Sequence, residues 1–335
     1  MSSDRRSLES FFIDLKNNHP PLLRVLVWQN GSIVLDADNP DARIDRETNL
    51  LRLVGSAFLR FMPFMRTPLS DFRGDLKNVR SVTKTITSLL AGMVFSEQAP
   101  KVLDQSIRTY FPEISCDDPK SAIHLRHLLT NTAGFAGIED FNSMRKLFST
   151  ENWIQTILRY PLQAEPGSTY IYSSANFHLA AGLMERALGA SLLDYAAAKL
   201  FNPLGISDLF WEQDPQGIPF GGSDLYLTPE DMLTIGQACL NEGKWQGKQI
   251  IPGTWLQLST QPQVKVNEHD QYGFGWWVNH NYREGCLPSY SACGVGGQRI
   301  IIIPARDTIV VTISLTSLYI SSSGLDDAVC AYFSQ

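Results

Sequence analysis

The stretch NVRSVTKTITSLLAGM, residues 78–93, sets a lysine at the start of an otherwise apolar run. Ile86, Leu89, Leu90 and Met93 recur at helical spacing, so the segment reads as a buried helix. Ser81 and Lys84 are three residues apart. On a helix that begins at Ser81 they share one face, with Cβ atoms about 5–6 Å apart. A serine hydroxyl is a weak nucleophile until a neighbouring base takes its proton. A lysine can be that base when burial or cationic neighbours lower its pKa. The apolar residues supply the burial, and the helix N-terminus favours negative charge developing beside Ser81. The spacing is not specific alone. It recurs at Ser143 and Lys146, in the polar stretch EDFNSMRKLFSTEN, where no buried helix is expected. By itself the pair also suits a capped surface helix.

The chain around this stretch has 335 residues, 44% apolar and 19% charged, with a net charge of -6. That describes an ordinary globular protein of one large domain or two intimate ones. The negative balance and lack of a basic block argue against a nucleic-acid partner. No run reaches about 18 apolar residues, so no transmembrane helix is expected. The first residues, MSSDRRSLESFFIDL, read as an amphipathic helix without the apolar core of a secretory signal. The five cysteines (116, 239, 286, 293 and 330) are scattered. They read as reduced thiols in a cytoplasm, neither a disulfide framework nor a zinc site.

Residues 24–37 are two strand-like runs about Asn30-Gly31, a hairpin signal because both turn positions need φ > 0. Residues 299–314 form a second hairpin rich in β-branched residues. Between them the pattern is mostly helical, notably at 175–189. In LTPEDMLTIGQACLNEG, Thr228 reads as an N-cap, with Pro229 first in the helix, Asp231 at N3 and Gly243 as a stop. The two ends of the chain are therefore expected to share one antiparallel sheet, with helices inserted: an α+β arrangement. The expected division is a discontinuous sheet domain, 1–80 and 220–335, and a mainly helical domain, 81–219, with the site at their interface. The apolar segment 50–69, punctuated by Arg52, Arg60 and Arg66, reads as a packed helix or as a lid for a lipid-like or carrier-bound substrate.

Two more stretches join Ser81 and Lys84. PGSTYIYSSANFHLAAG places Tyr172, Ser173 and Ser174 before a helix, and SACGVGGQRIIIIP places a glycine-rich turn before a strand. In this order, with IHLRHLLTNTAGF and YGFGWWV between and around them, the sequence resembles the serine β-lactamase and penicillin-binding-protein superfamily from about residue 23 onward. The closer likeness is to its branch of esterases, amide and oligomer hydrolases, and acyltransferases. The resemblance implies a central antiparallel sheet flanked by helices, plus an all-helical domain. It implies Ser81 as acylated nucleophile, Lys84 in proton transfer, and Tyr172 as the phenolic acid–base partner.

The second motif of that superfamily ends in asparagine. Here Ser174 stands in that place, and Asn176 lies two residues further on. The third motif, a cation, a spacer and a glycine, falls on Ala292-Cys293-Gly294, so the cation is absent. That argues against a penicillin-type or C-terminal-carboxylate substrate, and leaves Arg80, Tyr290 or Arg299 to supply a polar group. The oxyanion hole implied is the N–H groups of Ser81 and Val295, with Gly294, Gly296 and Gly297 allowing close backbone approach. No cofactor is implied.

The expected substrate is a small ester or amide, or a carrier-bound acyl group. Acyl transfer shares the first half-reaction. A ligand-binding protein that kept the fold is the reading from another class, motivated by Ser174 and Ala292. His124 and His127 have helical spacing, but no further ligands cluster near them to make a metal site. His178 reads as a packed side chain, and Cys293 would need a base and a lowered pKa to be a nucleophile.

Overall fold

The computed structural model describes residues 2–43, 71–96, 99–279, 285–316 and 323–334. Its centre is an antiparallel sheet built from both ends of the chain. The strands are β1 (Leu22–Gln29), β2 (Ser32–Asp38), β3 (Val264–Lys265), β4 (Gln271–Tyr272), β5 (Trp277–Asn279), β6 (Ser289–Gly294), β7 (Gln298–Ile303) and β8 (Thr308–Ser314). They lie in the order β2-β1-β8-β7-β6-β5-β4-β3. The hairpin expected at Asn30-Gly31 is present, with φ of 48° and 87° at the two turn residues. β1 pairs with β8 from Leu22↔Ser314 to Gln29↔Thr308, which is the junction of the two chain ends.

The sheet is covered on both faces. Strand alternation sends Val25 and Val27 to one side and Leu26 to the other. Val25 and Val27 pack with Phe11 and Leu15 of α1 (Ser2–Asn18) and with Leu325 and Val329 of α5 (Ser323–Phe333). The opposite face joins the larger core, with Ile86 and Leu90 of α2 (Val82–Val94) and Met232 and Ile235 of α4 (Pro229–Leu240). β7 is buried at every residue, which explains its unbroken run of isoleucines. α4 starts as its sequence requires: Thr228 and Asp231 exchange both bonds of a capping box behind Pro229.

Helices fill the chain between α2 and α4. The longest is α3 (Ser174–Leu188), buried from Ser174 to Met184 and packed against α2. A small sheet, in the order 72–73, 76–78, 225–227 and 210–211, leads the chain into α2. Trp255 sits directly on α2; a Cβ at Gly92 would lie 2.1 Å from its ring.

One expectation is overturned. Cys286 and Cys330 form a disulfide, with Cα atoms 5.4 Å apart, while Cys116, Cys239 and Cys293 are unbridged. Their separation of 44 residues gives no local pattern to read. It takes the packing of α5 over the sheet to bring Cys330 to the turn before β6. Such bonds persist in oxidising compartments, so the cytoplasmic expectation loses that support. No helix among the described residues is long and apolar enough to cross a membrane. Segment 50–69 lies outside the described residues.

Candidate active site

Ser81 is the N-cap of α2, and every residue from Val82 to Met93 is buried behind it. A serine there normally accepts a bond from an amide of the first turn. Ser81 makes no such cap. Its hydroxyl is instead 2.9 Å from Lys84 Nζ. Lys84 also donates to Ser174 Oγ at 2.8 Å and to the Gly222 carbonyl at 2.8 Å. An ammonium has three donors, and all three are thereby used. Burial lowers the Lys84 pKa to about 8, against the upward pull of Glu139 and Asp224. The resulting amine is poised near neutrality, the condition for a general base.

Tyr172 completes the group. Its phenol is near enough to Ser81 for that hydroxyl to favour the ionised form, and Lys84 Nζ lies 4.5 Å from its ring centroid. Burial, reinforced by the Glu139 charge, pushes the phenol well above its ordinary value, outweighing the opposing effect of Ser81. A phenolate at Tyr172 would need positive charge beside it, which Lys84 can supply. The structure places a carboxylate nearby that works the other way, so Tyr172 stays a neutral phenol and Lys84 is the better base.

Ser174 is held at the start of α3. Its N–H donates to the Glu139 carboxylate, and its hydroxyl faces Lys84. Asn176 is turned elsewhere: its amide donates to Asn131 Oδ1 at 3.2 Å. The same oxygen accepts from the Ser173 N–H at 3.1 Å, so Asn131, at φ 57°, ties the Tyr172 loop to α3. Ala292 is fully buried in the core and offers the site no polar group.

The end of β6 abuts the residues that lead into Ser81. A Cβ at Gly294 would lie 2.3 Å from the Val79 carbonyl oxygen, so only glycine lets the strand come this close. Val295 follows at once. Among the described residues, neither the Ser81 N–H nor the Val295 N–H donates to a protein acceptor. Arg299 donates to the Gly294 carbonyl at 2.7 Å and pairs with Asp326 at 3.0 Å. It fixes the turn from behind rather than entering the site. Tyr290 reaches towards the Cys239 carbonyl, 3.5 Å away.

Arg80 is committed to structure as well. It pairs with Asp71 at 2.9 Å and lies 3.5 Å from Asp224. Lys77 approaches Asp71 to 3.5 Å, and Asn78 donates to Asp224 at 2.7 Å. Burial would raise the Asp71 pKa, yet Lys77 and Arg80 hold it at about 2. This buried cluster braces Arg80, the residue before Ser81, which has the left-handed φ of 54°.

Sequence reasoning missed Glu139, Gly222 and the cluster. Only Gly222 left a trace, in the glycine pair of PFGGSD. A Cβ there would lie 2.4 Å from the Ser174 carbonyl oxygen, so Gly222→Ala must push α3 away from Lys84. We expect kcat/KM on esters to fall about 10²-fold, as for an ångström of misplacement, with far-UV circular dichroism unchanged. Unchanged activity would show that the backbone yields there.

His124 and His127 stack on one another, with centroids 5.0 Å apart, and His178 pairs with Asp214 at 3.2 Å in the core. Ser143 and Lys146 lie on a separate helix, Phe141–Phe148.

A family model described as Beta-lactamase matches residues 75–320, which span Ser81, Lys84, Tyr172 and Gly294. The chain belongs to the beta-lactamase family. Among its relatives is a monacolin J acid methylbutanoyltransferase of Aspergillus terreus, 32% identical over 38% of this chain and 36% of that protein. Another is a lovastatin esterase of Penicillium rubens, 27% identical over 57% of this chain and 54% of that one. The chain thus matches about a third to a half of the length of these two relatives. The solved structure titled "EstCE1, a hydrolase with promiscuous acyltransferase activity" superposes with a TM-score of 0.73 over 99% of this chain and 100% of that one, at 18% identity. That likeness is one of fold. The family thus includes esterases and acyltransferases alike.

Proposed function

We propose that this beta-lactamase family member is a serine hydrolase that cleaves an ester or small amide through an acyl-enzyme on Ser81. The contact of Lys84 Nζ with Ser81 Oγ, at 2.9 Å, carries the proposal. The neutral Lys84 amine takes the Ser81 proton as Oγ bonds to the substrate carbonyl. The carbonyl π electrons move to oxygen, which the Ser81 and Val295 N–H groups receive. Collapse breaks the bond to the leaving group, which takes a proton from Tyr172 Oη; the Lys84 ammonium restores it. Water then attacks the ester by the same steps in reverse.

Acyl transfer to an alcohol or amine differs only in the second attacker. It is the second reading, favoured by the 32% identity to a methylbutanoyltransferase. A fluorophosphonate probe should add one adduct to the peptide bearing Ser81, read by mass spectrometry, and none to Ser81→Ala. Equal labelling of both, or of neither with no ester turned over, would overturn the acyl-enzyme. Adding alcohol or amine acceptors to a p-nitrophenyl ester assay then separates the readings: new ester or amide product means transfer, free acid alone means hydrolysis.

A further inference from the structure

The charges around Ser81 are unequally committed. Lys84 has spent its three donors within the protein. Arg80 is turned to Asp71 and Asp224, and Arg299 to Asp326 and the Gly294 carbonyl. None of these cations is directed at an incoming anion. The carboxylate of Glu139 is placed differently. It sits at the Ser174 N–H, on a residue that is itself exposed, and its charge acts on Lys84, Tyr172 and Tyr170 together. One of its oxygens accepts from Ser174; a carboxylate can accept more bonds than that.

Beside it stands an aromatic wall. Tyr172 and Trp277 lie nearly parallel, with centroids 6.4 Å apart and planes at 27°. Tyr170 meets Trp277 at 6.5 Å and Tyr272 at 5.6 Å. Tyr170, Tyr172 and Trp277 keep part of their surface accessible. Ring faces attract cations, and a neighbouring carboxylate adds to that field. Lys84 shows the same preference from the inside, over Tyr172.

We propose that the substrate of this site carries an alkylammonium group, held by Glu139 and by the faces of Tyr172, Trp277 and Tyr170. The substrate class rests on the acyl-enzyme reading, but the binding of the ammonium does not. An anionic substrate is disfavoured for the same reason that a cationic one is favoured.

The test compares choline with its uncharged carbon isostere, 3,3-dimethylbutan-1-ol, by calorimetry and by quenching of tryptophan fluorescence. The wild type should bind choline about tenfold more tightly than the isostere. In Glu139→Gln, which keeps a carbonyl oxygen for the Ser174 N–H, the preference should fall to near unity. The kcat/KM ratio of butyrylcholine to 3,3-dimethylbutyl butyrate should follow, since a general effect of the variant on turnover cancels in it. Equal affinity for the two alcohols in the wild type, or a preference that Glu139→Gln leaves intact, would overturn the proposal. Choline preference without any labelling of Ser81 would instead sustain it and overturn the acyl-enzyme.

Discussion

Replacing Lys84 with methionine is expected to lower kcat/KM on a p-nitrophenyl ester by about 10²–10⁴-fold, the usual worth of a positioned general base. Methionine is close in length and suits the apolar surroundings, so the helix should remain. The wild-type rate should climb with pH and level off above pH about 8, where the buried amine loses its proton. The residual rate of the variant should lack that step. Stability carries an independent sign. The Lys84 pKa is about 8 in the folded protein against an ordinary 10.5, burial being the cause, with Glu139 and Asp224 opposing it. Below pH 8 the amine is charged in both states, and folding bears the full cost of burying it. Between 8 and 10.5 the unfolded chain binds more protons than the folded one, so stability rises with pH. The difference corresponds to about 3 kcal/mol over the whole window. The raised pKa of the Tyr172 phenol acts oppositely, its contribution being lost once the pH passes its ordinary value of 10 and then its folded value. Urea midpoints from roughly pH 8 to 9.5 stay below the phenol's range, and the buried Cys239 thiol, whose raised pKa lowers stability from about pH 9 upward, cancels when wild type is compared with Lys84→Met. Wild type should gain stability across this range relative to Lys84→Met. Parallel curves, together with a wild-type rate that is flat through pH 8, would refute a buried titrating lysine.

How far the sequence foretold this site depends on how local each contact is. Ser81 and Lys84 are linked by helical spacing, so their proximity could be read directly. Tyr172 lies 91 residues from Ser81 and Ser174 lies 90 from Lys84, and only the ordered set of motifs brought them into the reading. One half of the sheet was legible, because Asn30-Gly31 fixes the β1–β2 hairpin and β7 and β8 form the hairpin beside it. Glu139 was not legible. It follows the loop TAGFAGI without any pattern of its own, and its contact spans 35 residues. Nor was the direction of the Tyr172 pKa, which depends on that carboxylate as well as on burial. The cysteines illustrate the same limit: spacing argued for free thiols, and tertiary packing paired two of them. Arg80 and Arg299 looked available to replace the missing third-motif cation, because a sequence does not show which acids already hold them.

The second large effect is expected at Arg80. Its guanidinium serves Asp71 at 2.9 Å and Asp224 at 3.5 Å, with the two carboxylates 8% and 3% exposed. Removing one partner of a buried ion pair commonly costs 3–5 kcal/mol, because the remaining charge keeps its desolvation penalty without the attraction. Arg80→Met should therefore destabilise the protein by about that amount in urea unfolding. Asp224→Asn should cost less. Burial already raises the Asp224 pKa, with Arg80 pulling it back, and the amide keeps an oxygen to accept from Asn78 and Arg80. The two variants thus separate charge from shape at one locus. The backbone adds a consequence for activity. A non-glycine residue at φ 54° is held against a strain on the order of 1–3 kcal/mol. Here the Arg80 N–H donates to Asn78 Oδ1 at 2.9 Å, and the side chain is clamped by the acids. Ser81 is the next residue, so Arg80→Met should lower kcat/KM well below the temperature at which it unfolds, whereas Asp224→Asn should retain most of it. If Arg80→Met unfolds within about 1 kcal/mol of wild type and keeps full activity, the cluster does not brace Ser81.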